Sequence, residues 1–97
     1  MKYMLIIYGN DELWTSFPPE QMSDVIRRTD AHNKALVESG EMVGAFGVAG
    51  QDRAKLVAVA DGERTVTDGP YIEAKEYVGS FTIVDVESEE RALEIAA

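Results

Sequence analysis

Residues 2–8, KYMLIIY, form a nearly uninterrupted apolar stretch rich in β-branched and aromatic side chains. A short run of this kind is typical of a strand that is buried on both faces. A second stretch rich in β-branched and aromatic side chains, Val78–Val86, lies near the end of the chain. We therefore expect Lys2–Tyr8 to be a central strand of a sheet and Val78–Val86 to be another buried strand.

A long amphipathic helix is predicted from Pro18 to Ser39. Proline is favoured in the first turn of a helix, and Gly40 suits the left-handed conformation that ends one. The apolar positions that recur at the helical period predict the face that packs on the sheet: Met22, Val25, Ile26, Leu36 and Val37. In the middle turn the same stripe carries Thr29 and Asn33, with His32 at its edge. The packing face therefore becomes polar for one turn.

This polar turn has two interpretations. The small polar side chains either form local hydrogen bonds at the end of a core, as buried polar groups usually do, or they line a cavity. The sequence alone leaves both open.

The remaining segments predict short strands, tight turns and a second helix. Asp61-Gly62 is typical of a two-residue hairpin turn, and Ser88 is a favoured helix N-cap. Residues 71–77 are ambiguous between helix and strand. The other expected features are a turn at 9–12, strands at 41–48, 55–60 and 63–67, a turn at 68–70, and a final helix with Leu93, Ala96 and Ala97 on its inner stripe.

This order of elements predicts one α+β domain over residues 1–97. It is close to a ferredoxin-like antiparallel sheet with two helices on one face. The ferredoxin-like plan adds a strand after the last helix, and no such strand follows here. An unpaired sheet edge is usually covered, so we expect a homodimer that forms through the sheet face or edge.

Composition narrows the class of partner. Nine Lys and Arg residues stand against eighteen Asp and Glu, so the net charge of −9 disfavours nucleic acid and anionic membranes. The chain has no Cys, no convincing signal peptide and no apolar run of about 20 residues, which predicts a cytoplasmic protein. Neither metal-ligand spacing nor a dinucleotide fingerprint is present, so we expect no cofactor.

The segment from Thr67 to Val86 contains Asp68-Gly69-Pro70-Tyr71, then Glu73-Ala74-Lys75-Glu76, then a Gly-aromatic strand. With Ala92-Leu93-Glu94 and the opening strand, it resembles the DGPF-domain proteins, a branch of the YCII-related family. The resemblance covers nearly the whole chain, with Tyr71 in place of the family's Phe. It implies a dimeric α+β barrel type of fold.

The resemblance also implies a candidate site. YCII-like proteins have been suspected of enzymatic activity because a His on the first helix and an acidic residue meet in a cleft. The equivalent helix position here is close to Thr29, and His32 lies one turn later. The family also suggests a regulatory partnership, because some members are encoded beside alternative sigma factors.

His32 and Asp68 are the candidate catalytic pair. Histidine is the side chain that most readily exchanges protons near neutral pH, and a general base needs an orienting carboxylate. We expect ligand contacts from Thr29, Asn33, Gly69 and Lys75. Structural interpretations are also open. His32 could be a surface histidine, and Asp68 and Gly69 could belong to a rigid Asp-Gly-Pro turn. Lys75 could be part of a solvated ladder of ion pairs.

Two aromatic residues, Trp14 and Phe17, precede the long helix and must be buried somewhere. We expect packing or a dimer contact, with a lid over the pocket as the alternative. The function predicted from sequence is binding of a small organic ligand with His/Asp acid–base chemistry. The alternative is a non-catalytic regulatory or protein-interaction module, so the sequence does not decide whether the chain is an enzyme.

Overall fold

The computed structural model describes residues 1–68 and 77–97. Within these residues the chain forms five strands and three helices, in an α+β arrangement with antiparallel strand pairing, as predicted. The elements in chain order are β1 (Lys2–Gly9), α1 (Asp11–Ser16), α2 (Pro19–Ser39), β2 (Met42–Gly47), a 3-10 turn (Gln51–Arg53), β3 (Lys55–Ala60), β4 (Glu63–Asp68), β5 (Tyr77–Asp85) and α3 (Glu89–Ala96).

The main sheet has three strands in the order β1-β5-β2, and both pairs are antiparallel. The central strand is therefore β5, and the prediction that the first strand is central was wrong. Both edge and central strands can be apolar throughout, so the composition of β1 could not decide its position.

The register of the pairs defines two faces of this sheet, because directly opposed residues point to the same side. The inner face carries Tyr3 and Leu5 of β1 and Val84 of β5, and the helices pack against it. The outer face carries Met4, Ile6, Phe46, Phe81 and Ile83.

The core lies between the inner face and the two longer helices. Five apolar side chains of the described residues are buried there: Leu36, Val84, Val86, Ala92 and Ile95. Tyr3, Leu5 and Met42 pack against them. Only Leu36 of the predicted α2 stripe belongs to this set, because Val25, Ile26 and Val37 remain exposed.

Helix ends follow the predicted chemistry. The Ser88 hydroxyl accepts a hydrogen bond from the Arg91 backbone N–H and caps α3. Gly40 ends α2 in the left-handed region, with φ 81°, and its N–H bonds to the Leu36 and Val37 carbonyls. The predicted inner stripe of α3 was wrong, since Ala92 and Ile95 face the core whereas Leu93 is 63% exposed.

The segment after β1 also differs from prediction. A turn was expected over residues 9–12, but α1 begins at Asp11. The Asn10 side chain accepts a hydrogen bond from the Leu13 N–H at 2.7 Å, which is the bond of a helix N-cap. Trp14 then packs against Gly9, so the expectation that this aromatic side chain packs on the domain was correct.

Strands β3 and β4 form a separate two-stranded sheet, the β3–β4 hairpin. The predicted turn is present at its tip, with φ 52° at Asp61 and 80° at Gly62, as a two-residue primed turn requires. Every residue of both strands is exposed. The hairpin therefore adds little to the core of its own chain.

Candidate functional site

A broad groove of about 1040 Å³ lies above the inner face of the main sheet, between α2 and the C-terminal half of α3. Only the C-terminal half of α2 contributes a buried side chain, Leu36, and the side chains of the preceding turns are exposed or half-buried. The groove is present because α2 packs against the sheet mainly near its C-terminal end.

The predicted polar turn forms one wall of this groove. Thr29, His32 and Asn33 all line it, together with Arg28 one turn before His32. Residues three and four apart share a helix face, which explains why this turn presents its side chains together. Thr29 and His32 are exposed, whereas Asn33 is half-buried.

The floor of the groove is mostly apolar with two hydroxyl groups, and Met4, Ile6, Phe46 and Phe81 of the same strands also contribute to its lining. Leu5 and Ile7 come from β1, and Ser80 and Thr82 come from the inner face of β5. In the register, Leu5 opposes Thr82 and Ile7 opposes Ser80. Across the floor, a row of apolar side chains on β1 therefore lies beside a row of hydroxyl groups on β5.

No hydrogen bond or ion pair within residues 1–68 and 77–97 holds the side chains of Thr29, His32 or Asn33. The interpretation in which these groups satisfy one another locally therefore finds no support in this part of the chain. Their donors and acceptors face the groove and remain available to solvent or to a ligand.

Asp68 does not line the groove. It is the last residue of β4, and its carboxylate pairs with the Lys55 ammonium across the hairpin. The hydrogen bond and charge of Lys55 lower the pKa of Asp68 below its ordinary value of 3.8. The structure brings together Thr29, His32 and Asn33, but it does not bring Asp68 to this group.

Two of the predicted ligand residues, Gly69 and Lys75, lie outside the described residues, as do Pro70 and all of the ambiguous segment except Tyr77, which begins β5. Their roles stay predictions.

Sequence reasoning missed several groove residues, namely Arg28, Ser80, Thr82 and Glu94. A signal existed for two of them, because Ser80 and Thr82 alternate as polar residues within an otherwise apolar strand. Glu94 is the carboxylate side chain on the groove. It accepts a hydrogen bond from Arg91 Nη1 at 3.1 Å.

The described part of the chain contains no group of three or more His, Asp or Glu side chains placed to hold a metal ion. None of its helices is long and apolar enough to cross a membrane.

Comparison of the sequence with known proteins identifies its family. The YCII-related domain matches the chain over residues 1–97. The chain belongs to the YCII-related family. It is also similar to an uncharacterized protein of Rhizobium meliloti (strain 1021), with 27% identity over 96 residues, which covers 99% of this chain and 77% of that protein.

Proposed function

We propose that this YCII-related protein binds a small organic molecule in the groove between α2 and the main sheet. The observation that carries the proposal is the turn of α2 whose Thr29, His32 and Asn33 side chains face this groove without a partner among residues 1–68 and 77–97. Binding sites are usually apolar clefts with a few polar groups that fix the ligand's orientation. The apolar floor and polar wall of the groove have this character.

His32 is the group in the groove best suited to acid–base chemistry. Its imidazole ring carries two nitrogens, one of which can donate a hydrogen bond while the other accepts a proton. The sequence-based hypothesis paired it with Asp68, whose carboxylate is bound to Lys55 away from the groove. We therefore base the proposal on His32 and assign Asp68 no role in the groove.

A ligand screen by thermal shift tests the proposal, with small carboxylic acids, lactones, phenols and amides as probes. We expect at least one class to raise the unfolding temperature of the wild type and of Lys34→Ala, which changes the same helix outside the groove lining. His32→Ala and Asn33→Ala should lose most of that rise. Amide NMR shifts should map the binding to Leu5, Ile7 and Thr82.

Two results would overturn the proposal. One is an equal response of His32→Ala and the wild type to every probe that binds. The other is the absence of any NMR shift at the groove floor with all four probe classes at millimolar concentration. Turnover is a separate question, tested by following each bound probe for chemical change with the wild type and with His32→Ala.

A second candidate function is a non-catalytic interaction module. The exposed apolar side chains of β3 and β4 favour it, because large apolar side chains that face solvent mark interaction surfaces when they are contiguous. Under this alternative, His32→Ala would leave ligand responses unchanged, and substitutions on the hairpin would abolish association.

We also propose the ferredoxin-like plan for this domain. The strand order β1-β5-β2, in which β5 separates the first two strands, supports it. The packing of Leu36, Ala92 and Ile95 from two helices on one face of the sheet is a second support.

A further inference from the structure

The α2 wall of the groove carries a permanent positive charge. Arg28 lines the groove one turn before His32, and its side chain is 79% exposed. Its ion-pair partner is Asp24, but Asp24 Oδ2 lies 3.8 Å from Arg28 Nη1, which is too long for a hydrogen bond. The other carboxylate oxygen of Asp24 is bound by Arg27. Among residues 1–68 and 77–97, the Arg28 guanidinium therefore makes no hydrogen bond, and its donors are available to a group in the groove.

Neutral hydrogen-bond donors lie beside this charge. His32 and Asn33 follow Arg28 on the same helix face, where residues three and four apart are neighbours. The imidazole ring can donate from an N–H and the amide group from its NH₂. Arg28 adds a planar fork of N–H groups, which matches the two oxygens of a carboxylate. The wall of the groove therefore offers the donors that a carboxylate needs.

The carboxylate of the protein that lines the groove is already bound. Glu94 accepts a hydrogen bond from Arg91. It also neighbours Ile95, which belongs to the same core cluster as Leu36 at the far end of the α2 wall. Arg28 lies two helical turns before Leu36, about 12 Å along the helix axis. The positive and the negative charge therefore lie towards different ends of the groove.

The surfaces around Arg28 are apolar. Val25 lines the groove one turn before it, and Leu5 and Ile7 supply the floor on β1. Val25 is 45% exposed and Ile7 50%, so an apolar ligand body that covers them removes apolar surface from water. A ligand that uses both features has an anionic group and an apolar body.

We propose that the ligand of this groove is a monocarboxylate with an aryl or alkyl body. Arg28 binds the carboxylate, and His32 and Asn33 complete its hydrogen bonds. The body lies on Val25 and on the apolar floor. Because it names the ligand class of the binding site proposed above, this assignment rests on the proposed function.

The charge of the chain favours a singly charged ligand. Arg28 is the one Lys or Arg side chain among the described residues that line the groove, so it compensates one negative charge. The chain as a whole carries −9, and each further negative charge on a ligand adds repulsion. We therefore expect a carboxylate to bind more tightly than a doubly charged phosphonate with the same body.

Amide NMR titrations test the ligand class with probes of matched shape: phenylacetate, phenylacetamide, benzylphosphonate and phenethylamine. We expect phenylacetate to shift the amides of Arg28 and His32. It should bind about tenfold more tightly than phenylacetamide, because hydrogen bonds to a charged group are stronger than those between neutral groups. Equal or tighter binding of the amide, the phosphonate or the amine would overturn the proposal.

Arg28→Gln and Arg27→Gln are a matched pair of variants. Both remove one positive charge from an arginine near Asp24, but only Arg28 lines the groove. The two side chains are 78% and 79% exposed, so neither change should impair folding, which circular dichroism checks. Arg28→Gln should weaken phenylacetate about tenfold and leave phenylacetamide unchanged. Arg27→Gln should leave both unchanged, and an equal loss with the two variants would contradict a direct contact with Arg28.

The outcomes separate this proposal from the binding site on which it rests. If the neutral probe shifts the amides of Leu5 and Ile7 and phenylacetate binds no more tightly, the groove is a binding site whose ligand is not a carboxylate. If no probe shifts any groove residue at millimolar concentration, the binding site itself is refuted, and the carboxylate assignment with it.

Discussion

The guanidinium group of Arg91 donates two hydrogen bonds to the carboxylate of Glu41, from Nε to Oε2 at 2.8 Å and from Nη2 to Oε1 at 2.9 Å. Glu41 precedes β2 and Arg91 lies in α3, so the pair joins the end of the main sheet to the last helix. The Ser39 hydroxyl donates a third bond to Glu41 Oε1 at 2.8 Å. Bidentate pairs of this kind have a fixed geometry that a lysine cannot reproduce.

We expect Arg91→Lys to lower the unfolding temperature by a few degrees, because a lysine keeps the charge but loses the paired hydrogen bonds. Glu41→Gln should have a similar effect, and the double variant should cost little more than either single one, since both remove the same interaction. Thermal unfolding followed by circular dichroism measures all three. Strictly additive losses would contradict the coupling between these two side chains.

Acid should weaken the same contact. The hydrogen bonds from Arg91, and then that from Ser39, lower the pKa of Glu41 from 4.5 to about 2. Because the pKa of Glu41 is lower in the folded state, the stabilisation from its contact with Arg91 is complete above pH 4.5. This stabilisation is lost as the pH falls from 4.5 towards 2. Glu41→Gln should therefore lose less stability than the wild type over this interval.

Chemical denaturation at several pH values measures this difference. Glu38→Gln is the matched control, because Glu38 is an exposed carboxylate with no ion pair among the described residues. Parallel pH profiles for the wild type and Glu41→Gln would show that the Arg91 contact does not contribute. Asp68→Asn should also flatten the acid side of the profile, since the hydrogen bond and charge of Lys55 lower the pKa of Asp68.

Local sequence signals predicted most elements of the fold. The turn at Asp61-Gly62, the left-handed Gly40 and the Ser88 cap each depend on one or two residues, and all three are present. The edge position of β1 depends on which strands pair with it, whereas its apolar composition reports only on the covering of its two faces. An apolar strand indicates that both faces are covered, and in a single chain the outer face is open.

The candidate site was predictable only where it lies within one helix. The periodicity of α2 places Thr29, His32 and Asn33 on one face, and these residues line the groove. The hypothesis that Asp68 joins His32 depended on how the hairpin lies relative to α2, which no local pattern encodes. Lys55, thirteen residues away in sequence, holds that carboxylate instead.

Gly9 is required by the close approach of Trp14. A Cβ atom built at Gly9 would lie 2.7 Å from Trp14 Cε2, inside any normal contact distance. At Gly79, which touches the same ring from β5, the nearest ring atom would be 3.5 Å away. We expect Gly9→Ala to destabilise the fold by about 1–3 kcal/mol, the usual cost of overpacking, and Gly79→Ala to cost much less.

Chemical denaturation measures the stabilities of Gly9→Ala and Gly79→Ala. Fluorescence reports on the ring itself, because Trp14 is the only tryptophan of the chain. Gly9→Ala should shift the emission towards longer wavelength as the ring is displaced into solvent. Equal stabilities of the two variants would show that the ring moves aside without cost.

Gly40 is the residue in the left-handed conformation that ends α2. A side chain is disfavoured at its φ of 81° although nothing lies within 4 Å of the added Cβ. We therefore expect Gly40→Ala to destabilise the chain by about 1–2 kcal/mol through backbone conformation alone. Gly40→Asn should recover part of this loss, because asparagine tolerates the left-handed region better. If both variants were equally unstable in urea, a contact and not the backbone angle would be responsible.

The groove exists because α2 is anchored at one end, and Leu36 provides that anchor. Leu36 is 3% exposed and packs in the core, whereas the adjacent Val37 is 63% exposed. Leu36→Ala should cost about 2–5 kcal/mol, as large-to-small changes in a core do. Val37→Ala should change the stability of the isolated chain little.

Because Leu36 also lines the groove, we expect Leu36→Ala to loosen the wall that carries His32 and to speed amide exchange in the last turns of α2. Unchanged exchange in those turns would mean that other contacts hold the helix.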